Sequence, residues 1–427
     1  MKRYLGSVLA RNTLWMVSGQ GLRLVIQAAY FTVIARSLGA NNYGAFIGVV
    51  ALVGIVYPFG TLGSGNLLVK NVARDKSLFA KYWGQALLVT LLSTSLLFTA
   101  VVFLSHLLLP PAIPFRLVFL VSGADLFGLS TITLCGYAFQ ALEQLKWTAT
   151  INVLISVSRL SGALVLVSIH RHPSALQWGY LYCCSTVAVA ITALALVSVK
   201  FGWPQFNWGR SASEFREGFY FSASLSAQTV YNDIDKTMLA RIGTLDATGI
   251  YGAAYRLIDV SFVPISSLLA AAYTSFFRKG TGGVTATLSY AKRLLPRALT
   301  YAVLAATAIF SFAGLVPYVL GPEYARSVEA LRWLALIPVL RASHYFISEA
   351  LTGAGYQGLR SSIQAGVAIF NVLINLWLIP TYSWRGAAWA SLASDGLLVC
   401  GIGLAVFVLD RRSQNVLVDV TASASSD

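Results

Sequence analysis

The chain has 427 residues, of which 57% are hydrophobic and 11% charged, with a mean hydropathy of +0.69. Soluble globular proteins carry roughly a quarter of their residues as Asp, Glu, Lys or Arg, so a soluble fold is excluded. The net charge of +15, from 31 Lys and Arg against 16 Asp and Glu, would in a soluble chain point to nucleic acid; in a membrane chain the positive-inside rule accounts for it, and no nucleic-acid partner is expected.

A helical bilayer crossing takes about 20 mostly apolar residues. Polar breaks divide the chain into about twelve such runs, at roughly 12–35, 43–65, 83–109, 114–138, 148–169, 175–199, 217–241, 249–276, 295–320, 329–352, 360–380 and 386–409. Barrel strands would be about ten residues of alternating polarity, whereas the run 86–109 is almost continuously apolar. The expected fold class is therefore all-α, a polytopic membrane protein. Arg11 interrupts the first apolar stretch, so the first span is read as an uncleaved insertion signal. With the N-terminus inside, the inner connections hold about 19 of the Lys and Arg residues and the outer ones about seven, which places both termini in the cytoplasm.

Along the chain, Ala35 to Ala45 (A-R-S-L-G-A-N-N-Y-G-A) joins spans 1 and 2. Span 2 then carries Pro58, Gly60, Gly63 and Gly65, which interrupt a helical ladder and make a candidate hinge. The first junction returns between spans 7 and 8 as Ala240 to Ala253, with Ala-Arg, a following Gly and a closing Tyr-Gly-Ala. Likewise Asn152-Val153-Leu154-Ile155 in span 5 returns as Asn371-Val372-Leu373-Ile374 in span 11. The echoes predict two parallel six-helix lobes, 1–205 and 206–410, with 411–427 as a cytoplasmic tail. In such repeats the substrate site is expected in a central cavity where the halves meet.

Ionisable groups within spans are costly and mark functional sites by default. The basic ones are Arg23, Arg159, Lys236, Arg256 and Arg341, candidate cavity cations for an anionic substrate, since guanidinium and ammonium both bind phosphate oxygens. The acidic ones are Asp125, Asp233, Asp235, Asp259 and Asp395, with Glu349 and His344 in span 10. The bland alternative is mutual neutralisation: Arg256 with Asp259, and Asp233 with Lys236, share a helix face at i and i+3. Asp125 and Asp395 are the candidate coupling carboxylates if a cation gradient drives transport. Trp15, Trp83, Trp147, Trp178, Trp333, Trp384 and Trp389 fall near span ends, where belt anchoring is expected for most.

No nucleotide or hydrolase motif is seen. Asp233-Ile234-Asp235 spells the D-x-D of metal-dependent glycosyltransferases but sits within an apolar helix. The four cysteines have no His at ligand spacing, so no metal, cofactor or covalent chemistry is expected.

The junction at 35–46, the segments Y-N-D-I-D-K-T-M-L-A-R-I-G at 231–243 and G-I-Y-G-A-A-Y-R-L at 249–257, and P-T-Y-S-W-R-G-A-A-W-A at 380–390 resemble the polysaccharide transporter family of Wzx-type O-antigen flippases, within the multidrug, oligosaccharidyl-lipid and polysaccharide exporter superfamily. The resemblance implies two six-helix lobes working by alternating access. It implies translocation of an undecaprenyl-pyrophosphate-linked oligosaccharide from the cytoplasmic to the periplasmic leaflet of a bacterial inner membrane, for O-antigen, capsule or exopolysaccharide synthesis. Candidate partners are a glycan polymerase, a chain-length regulator and a coupling H+ or Na+. Two competing readings are a multidrug and toxin extruder, for which a carboxylate-lined cavity is expected, and a membrane glycosyltransferase or polymerase.

Overall fold

The computed structural model describes the backbone of residues 2–72, 75–206 and 212–424, and the side chains of 21–72, 75–206 and most of 216–411. Trp15 among the side chains, and Arg74 and Arg210 altogether, lie outside the described residues. In chain order the helices are α1 (Lys2–Val56), α2 (Ser64–Val72), α3 (Phe79–Leu108), α4 (Phe115–Gly123), α5 (Ser130–Ala141), α6 (Leu145–Ile169), α7 (Ala175–Phe201), α8 (Ala212–Ile242), α9 (Leu245–Gly280), α10 (Gly283–Phe312), α11 (Val316–Leu320), α12 (Ser327–Leu334), α13 (Ile337–Gly353), α14 (Gln357–Tyr382) and α15 (Trp384–Ala424). No strand occurs among the described residues. The protein is an all-α multi-pass membrane protein.

Eight helical segments among the described residues are long and apolar enough to cross a membrane. Four of the twelve expected spans are not counted separately among these eight. Spans 1 and 2 merge into one segment, Gly21–Phe59, of 39 residues, about twice what one crossing needs at roughly 1.5 Å per residue. It is broken at Gly39, which adopts φ 69°, and the Phe31 and Tyr43 rings meet at 5.9 Å, although 12 residues of straight helix would separate them by about 18 Å. Helices α8 and α9, whose side chains are described only in part, are not among the eight. Span 10 is divided into α12 and the 17-residue α13. Pro338 lies in the first turn of α13, where a missing N–H costs little, while Pro264 lies inside a continuous α9. Helix α15 continues to Ala424, through the stretch read as a tail.

Large apolar side chains face outward along these helices: Phe103 is 80% exposed and Trp377 71%. Such a surface is stable only against lipid. Two of the tryptophans expected in an interfacial belt do something else: Trp83 and Trp178 are fully buried, Trp83 in a core with Phe139, Ile151 and Ala193, Trp178 against Tyr30, Phe46 and Tyr182. Trp384 is also buried, whereas Trp333 is exposed as a belt residue would be.

Two compact units emerge, one of residues 1–249 with 319–321, the other of 250–318 with 322–427. In the first, α1 packs along α6 and α8, and this union with α8 carries the unit to Gly249, past the lobe boundary read at residue 205. In the second, α14 packs on α15 and α10 on α13, the latter pair joining α9 in a core of Phe262, Phe276, Ala298 and Phe346.

The repeated junctions meet inside the first unit. A Cβ on Gly44 would lie 1.8 Å from the Leu245 carbonyl oxygen, and one on Gly249 would lie 1.9 Å from that of Ala40. Backbone touches backbone there, as small residues permit between membrane helices. Asn42 extends the joint by accepting a hydrogen bond from Ala175 N at the start of α7 (3.2 Å), beside the Ser174 and Gln177 capping box. Gly249→Ala should therefore cost about 1–3 kcal/mol by overpacking, read as a lower unfolding temperature in detergent. Gly396→Ala, where an added Cβ meets nothing within 4 Å, should leave that temperature unchanged or raised.

Candidate functional site

Each unit holds a cluster of intramembrane charges, and other charges pair apart from these, Glu349 with Arg360 among them (3.0 Å). In the first, residues Ala124–Leu129 form a π-helical segment between α4 and α5. Such segments are rare and concentrate at functional positions. This one holds buried Asp125 and approaches α7 closely, a Cβ on Gly128 meeting Thr186 Cγ2 at 2.9 Å. Tyr182 of α7 donates its hydroxyl to Asp125 Oδ1 at 2.7 Å. Arg159 of α6 donates from Nη2 to the Tyr182 hydroxyl at 2.7 Å, with Asp125 Oδ1 and Thr186 Oγ1 each at 3.4 Å. Its guanidinium carbon lies 4.1 Å from the centre of the Tyr182 ring, within cation–π range. Arg159 Nε is buried without a hydrogen bond. One cation thus faces one carboxylate, with a phenol bonded to both.

In the second unit Arg341 of α13 donates from Nη1 to Asp259 Oδ1 of α9 at 3.0 Å and from Nη2 to the Tyr255 hydroxyl. Its Nε lies 3.7 Å from Asp395 Oδ2 of α15. His344, one turn along α13, pairs through Nε2 with Asp395 Oδ1 at 3.1 Å, and its Nδ1 makes no hydrogen bond. Arg341, His344 and Asp395 are buried, whereas the Asp259 side chain is 41% exposed. Here one guanidinium faces two carboxylates, and one of these, Asp395, also pairs with His344.

Arg159 and Arg341, candidate cavity cations, are thus each held against the candidate coupling carboxylate of their own unit. Lys236 pairs with Asp233 on α8, as their i, i+3 spacing allows, while Asp235 is fully buried and accepts from Lys236 N. Arg256 does not pair with Asp259, because that carboxylate turns to Arg341; among the described residues no ion pair of Arg256 is seen. Arg23 is half-buried on α1. Pro58 and Gly60 fall in the turn after α1, Gly63 just before α2 and Gly65 in its first turn. Sequence reasoning overlooked Tyr182 and Tyr255. A signal existed, since Tyr182 with Thr186 and Tyr255 with Asp259 are i, i+4 pairs that line one helix face.

Carboxylates held against cations within mostly apolar helices mark functional positions in membrane proteins. Solved structures share the fold: an inward-facing multidrug resistance MATE family transporter of the MOP superfamily superposes with a TM-score of 0.74 at 14% identity, over 91% of this chain and 96% of that one. The inward closed conformation of the lipid II flippase MurJ does so with a TM-score of 0.75 at 10% identity, over 92% of this chain and 87% of that one. In sequence, the chain is 22% identical over 400 residues to the probable low-salt glycan biosynthesis flippase Agl15 of Haloferax volcanii, covering 90% of this chain and 81% of that protein. The family model described as polysaccharide biosynthesis protein matches residues 9–279, and the chain belongs to that family.

Burying two charges is repaid only by mutual contact, and removing one partner strands the other. Asp125→Leu should destabilise the protein by about 3–5 kcal/mol, and replacing Arg159 by Met in the same chain should recover much of that. Thermal unfolding in detergent reads both; an equal loss in the single and double variants would place the cost elsewhere.

Proposed function

We propose that the protein is a flippase for a lipid-linked oligosaccharide, and that it carries an undecaprenyl-pyrophosphate-linked repeat unit from the cytoplasmic to the periplasmic leaflet of a bacterial inner membrane by alternating access, with both termini in the cytoplasm. Membership of the polysaccharide biosynthesis family over residues 9–279 is the observation that carries this reading. The glycan flippase named among its relatives and the lipid flippase that shares its fold support it. No covalent step is assigned to the chain, which moves a substrate built by other proteins and hands it to a polymerase and chain-length regulator.

In this reading Arg159 and Arg341 receive the pyrophosphate by exchanging carboxylate for phosphate oxygen, a trade between two forked acceptors for one guanidinium. Each Arg is counterbalanced before substrate arrives, which keeps an empty site tolerable within the membrane. Arg23, Lys236 and Arg256 are secondary cations along the substrate path. Of the two candidate coupling carboxylates, Asp395 is favoured over Asp125, because its group carries the surplus carboxylate and His344. Pro58, Gly60, Gly63 and Gly65 provide the bend that conformational change needs.

The fold is equally that of multidrug exporters, so the test separates the two. In a strain lacking the protein, the labelled lipid-linked sugar should accumulate facing the cytoplasm. Wild type should restore its passage, and Arg159→Ala or Arg341→Ala at normal protein levels should not. Passage that persists in the deletion strain while cationic dyes are retained would assign the protein to the exporters. In vesicles, Asp395→Asn should make transport indifferent to an imposed H+ or Na+ gradient that accelerates the wild type; a retained response would remove the coupling role.

A further inference from the structure

The break between α1 and α2 builds something besides a bend. After Val56 the chain makes a turn, Tyr57–Phe59, then passes two consecutive left-handed residues, Leu62 at φ 42° and Gly63 at φ 66°, before α2 begins. A non-glycine residue in that region costs of order 1–3 kcal/mol and persists only where its surroundings impose it. The detour leaves a partly open cavity of about 80 Å³ in the first unit, lined by Tyr57, Thr61, Asn66, Thr133, Tyr137 and Ser222, along with Pro58 and Gly63.

Its chemistry is distinctive for a site among membrane helices. None of the lining residues is charged, yet six of them bring a hydroxyl or amide. The Tyr57 hydroxyl and Thr133 Oγ1 are 2.7 Å apart. Ser222 Oγ of α8 is buried and makes no hydrogen bond, and a buried hydroxyl without a partner is costly. Tyr137 is held flat beside α2: a Cβ on Gly65 would meet its ring at 2.1 Å, so glycine is what allows the ring to stand there. Acyl chains would leave these groups unsatisfied, and the lining itself offers a pyrophosphate no cation. Two aromatic faces beside neutral donors and acceptors match a sugar, which offers C–H faces to rings and hydroxyls to amides and hydroxyls. At about 30 Å³ per water, the space takes the edge of one sugar residue rather than a whole repeat unit.

We propose that this cavity is a subsite for a neutral, hydroxyl-rich sugar of the transported glycan, recognised by Asn66, Tyr137 and Ser222 apart from the clusters that hold the pyrophosphate. It rests on the flippase reading. The subsite makes the chain selective for lipid that already carries its glycan.

Two probes test it with the full-length protein in nanodiscs: undecaprenyl diphosphate bearing a neutral hexose disaccharide, and undecaprenyl diphosphate without sugar. Wild type should bind the glycosylated probe more tightly. Asn66→Ala, Tyr137→Phe and Ser222→Ala should each narrow that preference about three- to tenfold, the effect of one lost neutral hydrogen bond, and leave the sugar-free affinity unchanged. Ser222→Ala keeps the evaluation independent of folding, because it removes a hydroxyl that has no partner in the protein. Equal weakening of both probes would make the residues structural, and a wild type indifferent to the sugar would overturn the subsite while the flippase reading stands. A wild type that binds neither probe would overturn the flippase reading and the subsite with it.

Discussion

Charge placed among membrane helices has to be cancelled by the protein itself, because lipid offers neither water nor counter-ions. Both units meet this constraint with the same parts: a guanidinium, a carboxylate from another helix and a tyrosine hydroxyl that bonds the guanidinium. The tyrosine adds a ring for the cation to lie against, at 4.1 Å in one unit and 5.2 Å in the other. These contacts tie α6 and α7 to the π segment, and α13 to α9 and α15. The clusters are therefore framework and candidate site at once, and the helices that hold them can be only as apolar as those charges permit.

A second constraint is backbone proximity. The reciprocal contacts of Gly44 and Gly249 bring the two junctions together backbone to backbone. Polar side chains reinforce other helix pairs. Asn371 donates to Ser394 across α14 and α15 at 2.9 Å, and Asn375 donates to Asn371 one turn earlier. Interhelical amide contacts of this kind hold helices together where the hydrophobic effect gives no preference between lipid and neighbour.

The fold class was legible in the sequence, because continuous apolar runs and sparse charge leave only membrane helices as a solution. The positions of Arg159, Asp125, Arg341 and Asp395 within their spans were legible for the same reason. Their pairing was not. Periodicity relates residues on one helix, as with Asp233 and Lys236, but the partner of Asp259 is set by how α9 and α13 pack, and no local spacing reports that. Burial of Trp83 and Trp178 was hidden likewise, since nearness to a span end does not say whether a ring faces lipid or core. The turn at Gly39 was visible as a polar junction and the break at Pro58 to Gly65 as a series of Pro and Gly, whereas nothing in the sequence marks Leu62 as left-handed.

The π segment at Ala124–Leu129 sets the rotational phase of everything after it in that span. A turn closed between i and i+5 holds one residue more than an α-helical turn, which offsets the helix that follows by about 100°. In that phase Asp125 faces Tyr182 and Arg159, while Ile132, Cys135 and Phe139 face the core shared with Trp83. Loops elsewhere in the chain can gain or lose a residue at small cost, but a one-residue deletion here would rotate the two ends of a single span against each other. Chain length in this stretch is thus as much a determinant of the site as the identity of its charged residues.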